Sequence, residues 1–148
     1  MAILQYLDIF DPSPPLFASE TRTAERIYEL SSFAASHLFP AVEAGVVKPR
    51  LRQIDSGSDE AATIKSGLVA LKTVLRALES MIKGPYACGT TISAADLYLW
   101  PILADLAAVP EGKILGGYVM INSWITFFRE TELAQVTKEG TLEVDGRP

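Results

Sequence analysis

The sequence has few of the side chains from which reactive sites are most often built. Its 148 residues include one cysteine, Cys88, and one histidine, His37. A single cysteine cannot form an intrachain disulfide, and it suits a reducing, cytoplasmic location. Structural and catalytic zinc sites draw most of their ligands from cysteine and histidine, so we expect no metal. The chain also has no Ser-His-Asp set and no glycine-rich phosphate loop.

Positive charge is scarce as well. Thirteen Lys and Arg residues against eighteen Asp and Glu residues give a formal net charge of -5 at pH 7. This balance argues against nucleic acid and against an anionic membrane surface as partners. No apolar run approaches the length of about 18 residues that spans a bilayer. The first ten residues lack the basic start of a signal peptide, so we expect no membrane association.

Apolar residues are abundant, at 49% of the chain, and their spacing is helical. This is enough to build one folded domain without disulfides. Helices are predicted over 1–10, 20–44, 58–83, 93–108 and 118–129, with a short one reaching 138. Pro40 should kink the first long helix and Gly45 should end it, leaving a loop over 46–57. No alternation typical of strands is present, so the predicted fold class is all-α.

The clearest local signal is a helix start at Ser93. Asp96 follows three residues later, which is the spacing of a capping box, although the third position is more often Glu or Gln. Ile92 and Leu97 flank this pair at the spacing of a hydrophobic staple. We assign these four residues a structural role, because a helix start encoded this strongly serves a buried helix.

The segment Gly89-x-x-x-Ser-x-Ala-Asp resembles the signature of the C-terminal helical domain of cytosolic glutathione transferases. Three other segments also resemble parts of the glutathione transferase sequence pattern. They are residues 2–8 with the prolines that follow, residues 24–38, and Trp124 followed by Arg129. The resemblance implies a bundle of about five helices preceded by a short N-terminal helix. Residues 1–17 resemble the end of the family's thioredoxin-like domain and the linker that follows it. Residues 18–138 resemble the helical domain. We expect residues 139–148 to form a loose tail.

This resemblance implies a divided function. In the family, the thioredoxin-like domain holds and activates glutathione, and the helical domain lines the pocket for an apolar electrophile. Met1 stands where the family has a glutathione-binding Ser, so we expect glutathione to bind only if the first domain is supplied, and no other cofactor. The implied pocket residues are Tyr28, Ser32, Ala35, His37 and Phe39. The resemblance does not identify a catalytic residue, and Cys88 is interpreted as a packed thiol.

Two other functions stay open. The same helical domain serves as a non-catalytic interaction module in translation elongation factor and aminoacyl-tRNA synthetase complexes, and the stretch from Ser32 to Ala34 is compatible with that use. Alternatively, the chain is a small isomerase or lyase built on the pocket alone, although no acid–base pair supports this interpretation. In each case we expect a homodimer or a heteromeric protein partner, because the surface next to the missing domain is apolar.

Overall fold

Helices joined by short turns make up the part of the chain that the structure, a computed structural model, describes: residues 1–138 and Leu142. The helices are α1 Ala2–Phe10, α2 Thr21–Ser56, α3 Ala61–Met81, α4 Ala94–Ala108, a 3₁₀ helix Pro110–Gly117, α5 Val119–Arg129 and α6 Glu132–Val136. Within these residues there is no extended strand, which confirms the all-α prediction. The predicted tail over 139–148 lies outside the described residues, apart from Leu142.

Helix α2 is longer than predicted, and the expected loop over 46–57 is wrong. The helix continues to Ser56 and ends at Gly57, whose φ of 67° is left-handed. Two π-helical turns, Ala34–Leu38 and Glu43–Val47, interrupt its α-helical geometry. Pro40 and Pro49 each follow one of these turns by two residues. A proline lacks an N–H and its ring crowds the preceding turn, so the wider turn lets the helix pass each proline without ending.

Gly45 is a packing residue and not a helix end. It lies inside α2 and faces Gly67 of α3, where the two backbones meet. A Cβ atom added at Gly67 would lie 2.0 Å from the Gly45 carbonyl oxygen and 2.8 Å from its Cα. The two helices therefore cross at a distance that only glycine permits at position 67.

We expect Gly67→Ala to lower the free energy of unfolding by about 1–3 kcal/mol, because its Cβ meets backbone that cannot move aside. This loss should occur although alanine favours a helix over glycine by about 1 kcal/mol. Gly45→Ala should cost less, since its Cβ would lie 3.3 Å from the nearest atom, the Gly67 Cα. Gly116→Ala is the control, because no atom lies within 4 Å of its Cβ position. Urea unfolding measures all three, and equal midpoints for Gly67→Ala and Gly116→Ala would contradict the close crossing.

The core lies where α2, α3, α4 and α5 meet. Helix α4 supplies the centre, with contacts to α2 on one side and to α5 on another. Apolar residues lie on every side of α4, which suits its central position in the bundle. The largest fully buried side chains are Trp124, Phe128, Leu30, Leu38, Leu71, Leu75, Leu78, Ile82, Leu99, Leu103, Leu106 and Ile121.

The run Thr21–Ser56 is, by length and composition, apolar enough to cross a membrane. This differs from the sequence analysis, which found no such run. A core helix meets the same two criteria, and Leu30, Leu38, Val42 and Val46 of this run are buried in the bundle. We therefore interpret the run as a core helix.

Two charged contacts fix the helices that surround α4. The Glu79 carboxylate of α3 accepts hydrogen bonds from the N–H groups of Met120 and Ile121, at 2.9 and 3.0 Å, and so caps the start of α5. The Arg50 guanidinium of α2 forms a two-pronged ion pair with Glu111, with 3.1 Å between Nε and Oε2. This pair ties the end of α2 to the 3₁₀ helix.

Candidate functional site

The start of α4 is held by a fully buried carboxylate. Asp96 is 0% exposed, and the capping box with Ser93 is present. Asp96 Oδ2 accepts hydrogen bonds from the Ser93 N–H at 2.9 Å and from the Ser93 hydroxyl at 2.8 Å. Ile92 and Leu97 are half-buried on either side of the box. The hydrophobic staple between these two residues stays a prediction.

Asp96 also reaches beyond its own helix. Its second oxygen, Oδ1, accepts from the Ala87 N–H at 2.7 Å and from the Trp124 indole N–H at 2.9 Å. One carboxylate thus joins the start of α4, the turn before it and the middle of α5. Four donors converge on it without a basic side chain, so the burial of its charge is offset by hydrogen bonds.

We expect Asp96→Ala to lower the free energy of unfolding by about 3 kcal/mol or more, because it leaves buried donors on Ala87 and Trp124 without acceptors. Ser93→Ala should cost about 1 kcal/mol, the usual value of a lost cap. Asp96→Asn should fall between them, since the amide keeps only one acceptor oxygen. Urea unfolding followed by tryptophan fluorescence measures all three. A loss for Asp96→Ala no larger than that for Ser93→Ala would reduce Asp96 to a simple cap.

A cleft of about 270 Å³ lies between α2 and α4. Helix α2 contributes one wall, including its second π-helical turn, and α4 contributes the other. The lining residues are Ala35, Phe39, Glu43, Leu97, Tyr98, Pro101, Ile102 and Asp105. Five of them are apolar, which is the usual character of a small-molecule pocket.

Ala35 and Phe39 are the two predicted pocket residues that line this cleft. Tyr28 packs instead on Phe17, with ring centroids 5.2 Å apart, and its hydroxyl accepts a hydrogen bond from Gln5 at 2.8 Å. Its position is therefore set by the segment before α2 and not by the cleft.

Ser32 and His37 are exposed residues of α2 outside the cleft lining. The His37 ring lies 5.4 Å from that of Phe33, one turn back along the helix. Residues 35, 39 and 43 are spaced four apart and share one side of the helix, whereas residue 37 faces away from them. All five predicted residues lie on α2, but only Ala35 and Phe39 are on the side of the helix that lines the cleft.

Sequence reasoning missed Glu43 and the whole α4 wall. Glu43 follows Phe39 by four residues, so helical spacing from Ala35 and Phe39 indicates it as the next residue on the same side of α2. The residues Leu97, Pro101 and Ile102 gave no such signal, because α4 is apolar on every side and its cleft face cannot be told from its core face.

The cleft holds two carboxylates, and both are harder to ionise than usual. Partial burial raises the pKa of Glu43, the negative charge of Asp105 raises it further, and Lys48 opposes both effects. Partial burial also raises the pKa of Asp105. Lys48 Nζ lies 4.0 Å from Glu43 Oε2, but its side chain is 60% exposed, against 13% for Glu43. Lys48 is therefore a solvated partner at the edge of the cleft.

These pKa shifts predict a pH-dependent stability. Protonated Glu43 and Asp105 stabilise the fold, and that contribution is lost as the pH rises through their raised pKa values. Glu43→Gln and Asp105→Asn should therefore raise the melting temperature at about pH 7.5, and this gain should be smaller at about pH 4, because lowering the pH favours the protonated form of the native carboxyls. Glu130→Gln, on an exposed carboxylate outside the cleft, is the control. A gain that is equal at both pH values, or absent at both, would contradict the prediction.

Cys88 lies in the turn before α4 and is half-buried. Burial, followed by the charge of Asp96, raises the pKa of its thiol to about 11. The thiol therefore stays protonated at neutral pH and is a poor nucleophile. Among residues 1–138 and Leu142, no group of three or more His, Cys, Asp or Glu side chains is arranged to hold a metal ion.

Comparison with known proteins places these features in a family context. The family model described as "Glutathione S-transferase, C-terminal domain" matches residues 39–127, which is more than half of the chain. That range contains Phe39, Glu43 and all five α4 residues of the cleft. No curated protein matches the chain.

Solved structures share the fold at low sequence identity. A glutathione S-transferase from Rhodospirillum rubrum F11 aligns with a TM-score of 0.73 and 18% identity over 88% of this chain and 60% of its own. One from Legionella pneumophila aligns with a TM-score of 0.72 and 18% identity over 92% of this chain and 72% of its own. A maleylpyruvate isomerase from Pseudomonas aeruginosa PAO1 aligns with a TM-score of 0.61 and 23% identity, covering 90% of this chain and 69% of its own. The chain thus spans about 60% of the length of the R. rubrum protein.

Proposed function

The chain belongs to the glutathione S-transferase family through its C-terminal domain, and on that premise we propose that the cleft between α2 and α4 binds an apolar small molecule for a glutathione-dependent reaction. The cleft is the part of the helical domain that would receive the second substrate. None of its residues is assigned a catalytic role.

The observation that carries this proposal is the exposed apolar wall of the cleft. Phe39 is 47% exposed although it is a large aromatic residue, and it shares the cleft with Leu97 and Ile102. A bound apolar group would remove this surface from water, and each Å² of apolar area removed contributes about 25 cal/mol. Most of the binding energy would therefore come from burial, with the polar groups of the cleft setting orientation.

Glutathione itself does not suit this cleft. At neutral pH it carries two carboxylates against one ammonium group and is therefore a net anion, whereas the lining residues offer two carboxylates and no Lys, Arg or His. Like charges in a partly buried site repel each other. We therefore propose that glutathione is held by another part of the protein to which the domain belongs, and that the helical domain does not bind it alone.

A neutral apolar probe tests the proposal. We expect 1-naphthylmethanol to bind to the chain, with calorimetry measuring the affinity, and glutathione to show no binding. Ala35→Trp should lower the affinity for the naphthyl probe by about tenfold or more, because the added ring fills the cleft.

Ser36→Trp is the matched control for this experiment. Ser36 is the neighbouring exposed residue of the same π-helical turn and does not line the cleft. Its replacement should leave the affinity within about twofold of the native value. Equal weakening by both tryptophans, or no binding to the native chain, would reject the cleft as the binding site.

We also propose that the chain associates with a protein partner and lies in the cytoplasm. A homodimer or a heteromeric protein complex is supported by α1, on which no residue is buried and on which Ile3, Tyr6, Ile9 and Phe10 are 67–83% exposed. A cytoplasmic location is supported by the single, unpaired cysteine.

A further inference from the structure

We infer that the ligand of this cleft carries a protonated amine, which pairs with the carboxylates of Glu43 and Asp105 while its apolar body packs on Phe39, Leu97 and Ile102. This inference rests on the proposed function and specifies the class of molecule that the site selects. It follows from which polar groups the cleft presents and which it lacks.

The polar groups of the cleft are almost all acceptors. Glu43 comes from α2 and Asp105 from α4, so one carboxylate is supplied by each wall. The hydroxyl of Tyr98, which accepts a hydrogen bond from the Met1 amine, is the one side-chain donor among the eight lining residues. Ionised carboxylates only accept hydrogen bonds. A ligand complementary to this lining must therefore bring donors, and a positive charge satisfies both carboxylates at once.

A backbone carbonyl adds to the same pattern. Pro101 lies inside α4 and lines the cleft, as does Leu97 four residues earlier. Because proline has no N–H, the Leu97 carbonyl receives no hydrogen bond from residue 101. This leaves acceptor capacity on the wall between Leu97 and Pro101. An ammonium group has three donors, so it can bond to a carbonyl in addition to the carboxylates.

No basic side chain as buried as the two carboxylates lies beside them in the described part of the chain. Lys48 is the basic group nearest to Glu43, and its 4.0 Å separation and 60% exposure leave it mostly solvated. The raised pKa values of Glu43 and Asp105 reflect the same deficit, since burial disfavours the charged form of both acids and the charge of Asp105 adds to this effect at Glu43. A ligand cation would remove this penalty, whereas a ligand anion would increase it.

Three probes with one apolar body separate charge from hydrophobic burial. They are 1-naphthylmethylamine, 1-naphthylmethanol and 1-naphthoic acid, which are cationic, neutral and anionic at about pH 7.5. Calorimetry with the native chain should rank them in that order. We expect the amine to bind about tenfold more tightly than the alcohol and the acid to bind weakly or not at all.

Four variants assign the charge preference to particular residues. Glu43→Gln and Asp105→Asn should each reduce the ratio of amine to alcohol affinity by about threefold or more while the alcohol affinity stays within about twofold. Lys48→Gln should increase the ratio, because it removes the competing cation. Glu130→Gln, whose carboxylate is exposed and outside the cleft, should leave the ratio unchanged.

The outcomes separate this inference from the function on which it rests. If the alcohol and the amine bind equally, the cleft is an apolar pocket without charge selection, and the inference is wrong while the proposed function stands. If none of the three probes binds, both are wrong. If Glu130→Gln lowers the ratio as much as Glu43→Gln does, the preference comes from the net charge of the chain, which also overturns the inference.

Discussion

The geometry of the domain depends on one buried carboxylate and its four hydrogen bonds. Asp96 closes the start of α4, holds the turn at Ala87 and fixes the indole of Trp124 on α5. A buried charge is costly unless every lone pair finds a donor, so these contacts form as a set. Because α4 is both the centre of the core and one wall of the cleft, its position sets the positions of Leu97, Ile102 and Asp105.

Helix α2 forms the opposite wall, and its path is set by backbone contacts. The Gly45–Gly67 crossing brings α2 against α3 with no side chain between them. The π-helical turns carry the helix past Pro40 and Pro49, and each extra residue in a turn rotates the face that follows it. The first of these turns, Ala34–Leu38, therefore helps to decide that Phe39 and Glu43 face α4. The ion pair between Arg50 and Glu111 then secures the far end of the helix.

The cleft combines apolar walls with two ionisable carboxyl groups, and the first makes ionisation of the second unfavourable. Its apolar walls lower the local dielectric, which favours an apolar ligand but makes the ionisation of Glu43 and Asp105 costly. Neither acid has a well-buried cation beside it among the described residues. The site thus lacks a complementary charge of its own. That lack gives the cleft its proposed preference for an amine.

The sequence by itself determined the helical class, the buried helix that begins at Ser93, and its capping box. Each depends on local spacing: the helical spacing of the apolar residues, and the separation of Ser93 from Asp96. It also led to the family. Local spacing could not show that Gly45 is a packing residue inside a helix, because the residue that it contacts, Gly67, lies twenty-two residues away. Nor could it show which side of α4 meets solvent, or that Asp105 joins Glu43. Those facts arise only when α2 and α4 pack together, because a cleft is a relation between two surfaces that are distant in sequence.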